Sequence, residues 1–134
     1  MPRKLIRVVA AVVDRCGHYL ITQRREQAVL GLMWEFPGGM VEPGESDEDA
    51  LVRELRERLD AQGIIGKKIG ERHHVYDSYD VDFALYSVTI DPAQKLYPKH
   101  VKDFRWVASG DFEQYNFPAA DQATMDQLLD IKEN

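Results

Sequence analysis

WEFPGGMVEPGESDEDALVRELRERLDAQG, residues 34–63, places a short apolar stretch, two glycine-bearing turns and a carboxylate-rich helix next to one another. Gly38 and Gly39 carry no Cβ, so the backbone there is expected to turn sharply and to approach a ligand closely. Pro43-Gly44 signals a second turn. Ser46 is the N-cap expected for the helix that follows, with Asp49 three residues on as its box partner. Asp47, Glu48 and Asp49 then set negative charge at the positive end of the helix dipole.

Leu51, Leu55 and Leu59 recur every four residues and form a narrow apolar stripe that must face a core. At about 100° per residue, Glu54 falls beside that stripe and Glu57 one step further round, so both carboxylates sit at the margin of the buried face. Carboxylates at i and i+3 repel one another unless a cation lies between them. A hard divalent ion such as Mg²⁺ or Mn²⁺ favours oxygen ligands of this kind.

Gly39, Glu45, Arg53, Glu54, Leu55 and Glu57 fall at the spacings of the Nudix box. That box reads glycine, five residues, glutamate, seven residues, then Arg-Glu-aliphatic-any-Glu-Glu-any-Gly. With LMWEFPGG before and VEPGES within, the chain resembles the MutT-like branch of the Nudix hydrolases from about Ile6 to about Leu129. The resemblance implies an α/β/α sandwich with a mixed sheet, a central box helix and a C-terminal helix. It also implies hydrolysis of a nucleoside triphosphate to monophosphate and pyrophosphate with Mg²⁺ or Mn²⁺. Glu54, Glu57 and the Gly39 carbonyl would hold the ion, and Glu54 would also be the base. Glu45 and Arg53 would pair to hold the loop.

The chain departs from the box at two positions, with Arg58 in place of the last glutamate and Asp60 in place of the closing glycine. In the family that glutamate is a principal metal ligand. A positive charge about 4 Å from an ion, at an effective dielectric near 20, would oppose metal binding by roughly 4 kcal/mol per unit charge. The other reading of Arg58 is an i, i−4 salt bridge to Glu54. Gly63 is the next residue suited to a left-handed helix terminus, which predicts a helix prolonged to Gln62.

The remainder of the chain is read as one domain, residues 1–134. A net charge of −6 argues against long nucleic acid as a partner. One cysteine, Cys16, forms no internal disulfide and suits a reducing cytoplasm. Residues 8–13 are an apolar run shorter than a signal core and read as a buried strand. No stretch approaches the roughly 18 apolar residues of a membrane span, and the expected partner is a small-molecule nucleotide, with the protein a monomer or homodimer.

A second strand, residues 18–24, ends at Arg24, which is either a phosphate or base contact, as the resemblance implies, or a solvated strand end. Residues 64–77 and 80–90 read as two further strands, the latter apolar on both faces. His73-His74 point to opposite faces of a strand and cannot share one ion. Relatives carry a glutamate about six residues before the tryptophan that is Trp106 here, and counting back reaches His100 instead. FPAAD, residues 117–121, is similar to the base-reading segment of the branch. Asp121 would accept from an exocyclic amino group, or cap the last helix, and these roles are compatible. Trp34 and Trp106 read as packing residues. Two alternatives stand beside the triphosphate hydrolase: a catalytically impaired nucleotide-binding module, and a hydrolase of another nucleoside diphosphate derivative.

Overall fold

The computed structural model describes residues 4–28 and 30–118. Its elements are β1 Lys4–Val12, β2 Asp14–Arg15, β3 His18–Gln23, β4 Trp34–Glu35, β5 Gly38–Met40, α1 Asp47–Leu59, β6 Gly63–Val75, β7 Tyr79–Ile90, β8 Asp103–Ala108 and a 3₁₀ turn Ser109–Gln114. The C-terminal helix expected from the sequence, and Asp121 with it, lie outside the described residues.

One sheet runs β5-β1-β7-β6, and β3 lies between β4 and β8 in the other, with β2 also paired to it. The first is mixed: β1 is parallel to β7 but antiparallel to β5, and β6-β7 form a long antiparallel hairpin. Residues alternate across β1, so its two faces serve two cores. Val9, Ala11 and Val13 meet Leu51, Leu55 and Leu59 of α1, the leucines all being fully buried. Ala10 and Val12 face an aromatic cluster of Phe36, Phe112 and Phe117 on the other side. A mixed sheet flanked by the box helix is thus the α/β architecture expected.

Helix α1 starts as its sequence requires. Ser46 Oγ accepts the Asp49 N–H at 3.1 Å, and Asp47 is fixed to the sheet by two Arg7 donors at 2.8 and 2.7 Å and by the Tyr86 hydroxyl at 2.7 Å. Its end differs from the expectation. The helix stops at Leu59 and Asp60 takes the left-handed C-cap conformation, φ 55°, while Gly63 opens β6. Aspartate tolerates this region at a cost that tertiary contacts offset. Those contacts come from the segment before β8: Tyr97 N–H donates to Leu59 O, and Lys99 and His100 N–H both donate to Arg58 O. Carbonyls that a helix leaves unpaired at its end are satisfied by a loop remote in sequence.

Candidate active site

Gly38 and Gly39 do not turn the chain. Both lie in strand β5, paired with Ala10 and Val9. Their missing side chains answer a packing demand, because a Cβ on Gly38 would stand 1.9 Å from the Val9 carbonyl oxygen, and one on Gly39 would stand 2.4 Å from Glu54 Cδ. The glycine pair therefore presses α1 against β5 and lays the Glu54 carboxylate on the strand. The turn comes at Gly44, φ 85°.

Glu54 is 7% exposed and buried against the sheet. Arg53 Nη1 donates to its Oε1 at 2.9 Å and Arg58 Nε to its Oε2 at 2.5 Å. The Arg58–Glu54 bridge is the i, i−4 pairing read from the sequence. Arg53 grips Glu45 with two donors, Nε to Oε2 at 2.8 Å and Nη2 to Oε1 at 2.9 Å, and Nη2 also reaches the Met40 carbonyl at 3.0 Å. This pairing, expected from the resemblance, holds the Glu45 carboxyl down to about 2. Glu57 is exposed, and its Oε2 lies 3.3 Å from Arg53 Nη1.

Arg53 Nη1 thus stands where Glu54, Glu57 and, at 3.7 Å, Glu42 converge. Among the described residues no three acidic, histidine or cysteine side chains are placed to hold a metal ion. As arranged, the donor set of Glu54, Glu57 and Gly39 does not fit a protein-held Mg²⁺ or Mn²⁺: both Glu54 oxygens have a guanidinium partner, and Glu57 alone is no cage.

A residue that the sequence reading passed over lies at the centre of the cleft. Glu35, at the end of β4, accepts from Arg24 Nη1 at 3.0 and 3.3 Å, and Arg58 Nη1 is 3.7 Å from its Oε1. Burial pushes its carboxyl above the ordinary range, against the opposing charges of Arg24 and Arg58. A strand end two residues from Pro37 gives no hint of such a partner, since pairing of β3 with β4 is what brings Arg24 to it.

Three adjoining hollows run past this centre. The largest, about 320 Å³, is mainly apolar and is lined by Ile6, Leu30, Met40, Tyr76, Tyr79 and Pro118 among others, with Arg24 and Glu35 at its inner end. Tyr76 and Tyr79 are stacked there, 5.1 Å between ring centres. A second, about 140 Å³, includes Arg24, Glu35, Gly38, Gly39 and Arg58. The third, about 80 Å³, is lined by Arg24, Arg25, Ala28, Arg58 and His100. Arg24, Gly38 and Gly39 thus share the cleft with Arg58. Glu45, Arg53 and Glu57 stand to one side, tied to Glu54 by the guanidinium of Arg53. Trp34 packs edge-on against Tyr115 at 5.1 Å, and Trp106 lies under the Arg15 guanidinium at 4.0 Å, so both are packing residues.

The NUDIX domain profile matches residues 8–127. A CTP pyrophosphohydrolase of Escherichia coli is 48% identical over 66 residues, a match that spans 49% of this chain and 49% of that protein. The chain therefore spans about half the length of this relative. An 8-oxo-dGTP diphosphatase of Haemophilus influenzae is 27% identical over 135 residues, covering 100% of this chain and 98% of that one. The solution structure of DNA mismatch repair protein MutT, a Nudix hydrolase of methicillin-resistant Staphylococcus aureus, superposes with a TM-score of 0.73 at 34% identity, covering 94% of this chain and 96% of that one. Among the described residues no helix is long and apolar enough to cross a membrane. With its box residues, its mixed sheet and a domain profile that matches nearly its full length, the chain belongs to the NUDIX domain family and to the MutT-like branch within it.

Proposed function

We propose that this chain hydrolyses a nucleoside triphosphate to the monophosphate and pyrophosphate. The observation that carries the reading is the polarity gradient of the cleft. It runs from an apolar end with two stacked tyrosines, past Glu35 and the Gly38-Gly39 strand, to an end lined by arginines. A nucleoside triphosphate has the same gradient, a flat base at one end and a polyanion at the other. The relatives named as CTP pyrophosphohydrolase and 8-oxo-dGTP diphosphatase support the same class of substrate.

In this reading Glu54 is the catalytic base. It is the one buried carboxylate of α1 that faces β5. It accepts a proton from water once a phosphate has drawn Arg58 away from its Oε2. Fixed guanidinium groups facing a buried site stabilise charge that develops on phosphoryl oxygens. Arg24 positions the substrate across Glu35, and Arg53 with Glu45 fixes the loop between β5 and α1. Asp121, outside the described residues, is proposed to accept from the base. Mg²⁺ or Mn²⁺ is the cofactor that family membership suggests, and the assay treats it as a variable. A single thiol, Cys16, accords with a cytoplasmic site of action.

The test is product analysis over a panel of nucleoside triphosphates, in EDTA, in Mg²⁺ and in Mn²⁺. Monophosphate and pyrophosphate in equal amounts support the reading. Diphosphate and inorganic phosphate, or no product from any triphosphate, refute it.

A further inference from the structure

The basic hollow at the end of the cleft is built by three separate parts of the chain. Arg24 and Arg25 come from the end of β3, Arg58 from the last turn of α1, and His100 from the segment that closes the helix end. The two Arg58 carbonyl contacts from Lys99 and His100 N–H, 3.0 and 3.2 Å, set that segment against the helix. Arg25 Nη1 then lies 3.4 Å from His100 Nδ1. Among the described residues no carboxylate lines the hollow.

The guanidinium groups around it are unequally paired. Arg24 and Arg58 share the Glu35 carboxylate, and Arg53 and Arg58 share that of Glu54. Arg25 has no ion pair with a carboxylate among the described residues, its side-chain contact being His100. Arg25 thus brings to the hollow a guanidinium charge that no carboxylate of the described residues neutralises. Like charges gathered in this way are held at a cost that a polyanion relieves. Guanidinium groups match phosphate oxygens in bidentate geometry and keep their charge at any working pH.

We propose that Arg25, Arg58 and His100 form a phosphate subsite that binds the terminal phosphates of the substrate without a divalent metal. This rests on the reading of the cleft as a nucleotide site. Arg58 and His100 turn the far end of the cleft from a place for a cation into a place for an anion. Arg53 Nη1 meanwhile occupies the convergence of Glu42, Glu54 and Glu57. The protein's own guanidinium groups thus supply the positive charge at these two places.

The test is calorimetric titration of the full chain with inorganic pyrophosphate in EDTA and then in Mg²⁺. The parent is compared with Arg25→Gln, Arg58→Gln and, as a control on the other side of the helix, Arg56→Gln. Arg25 is exposed, so its variant folds, and unchanged thermal unfolding verifies this. The expected result is one-site binding in EDTA that Arg25→Gln and Arg58→Gln each weaken at least tenfold and Arg56→Gln leaves unchanged. Binding that appears only with Mg²⁺, or that survives both cleft substitutions, overturns the proposal. Nucleoside triphosphate turnover with no metal-free pyrophosphate binding would refute this subsite and leave the hydrolase reading standing. Metal-free binding without turnover of any triphosphate would do the reverse.

Discussion

Replacing Gly39 by alanine is predicted to unseat Glu54. The added Cβ would stand 2.4 Å from Glu54 Cδ and 2.6 Å from each carboxylate oxygen. Carbon atoms in contact sit about 3.5–4.0 Å apart, so one partner must retreat by roughly 1 Å. Glu54 has little room to do so, because its oxygens are held at 2.9 Å by Arg53 and 2.5 Å by Arg58. Movement of that size breaks at least one charge-assisted hydrogen bond of a buried group. Overpacking costs about 1–3 kcal/mol and the lost bond about 1–3 kcal/mol more. A total of about 2–6 kcal/mol is a large part of the roughly 5–15 kcal/mol that stabilises a domain. It should lower Tm by at least about 8 °C.

Thermal and urea unfolding of Gly39→Ala are to be compared with Gly110→Ala, whose added Cβ meets nothing within 4 Å. The control should stay within about 0.5 kcal/mol of the parent. In the background of Glu54→Ala the clash is gone, and Gly39→Ala should then cost less than about 1 kcal/mol. A Gly39→Ala protein as stable as the parent, or a penalty that persists undiminished in the double variant with Glu54→Ala, would refute the argument.

Three further outcomes are expected. Asp60→Gly should stabilise the protein by about 0.5–1 kcal/mol, since Asp60 holds φ 55° without being glycine, and urea midpoints measure it. Arg58→Glu should lower Tm in EDTA, because it removes a guanidinium from Glu54 and Glu35 and adds a like charge, and Mn²⁺ should restore Tm in this variant more than in the parent, as scanning calorimetry will read. Acid should destabilise the protein through Glu45. Its carboxyl is held at about 2 in the folded state by Arg53, below the ordinary value of 4.5. The unfolded chain binds the proton first, so the stabilisation is complete above about pH 4.5 and disappears as pH falls towards 2. Glu45→Gln should flatten that part of a stability profile measured by urea unfolding.

The parts of this molecule governed by local rules were legible in the sequence. Ser46 caps the helix, the three leucines of α1 are buried, and Arg58 reaches Glu54, because each depends on spacing along one helix. The helix ends earlier than its sequence implies for a reason outside the helix: segment 97–100 satisfies the last carbonyls and Asp60 accepts the left-handed turn, so Gly63 is free to begin β6. Gly38-Gly39 suggest a turn against a ligand, whereas in the structure they lie in a strand and what approaches them is the Val9 carbonyl and the Glu54 carboxylate. Glu35, Arg25 and the Tyr76–Tyr79 stack could not be placed at the cleft from spacing alone. The parallel pairing of β1 with β7 and the antiparallel pairing of β3 with β4 bring the tyrosines and Glu35 to it, and the seating of segment 97–100 on the end of α1 brings His100 to Arg25 across 75 residues of chain.

The central claim is that Glu54 acts as a base on a nucleoside triphosphate, and the most direct measurement is pyrophosphate release by the parent and by Glu54→Gln on the best substrate of the panel. Glutamine retains the side chain's size but cannot take up a proton from water at neutral pH. The predicted result is a fall in kcat of at least about 100-fold, in the range of general-base removal, with KM changed far less. Equal kcat in the two proteins would contradict it.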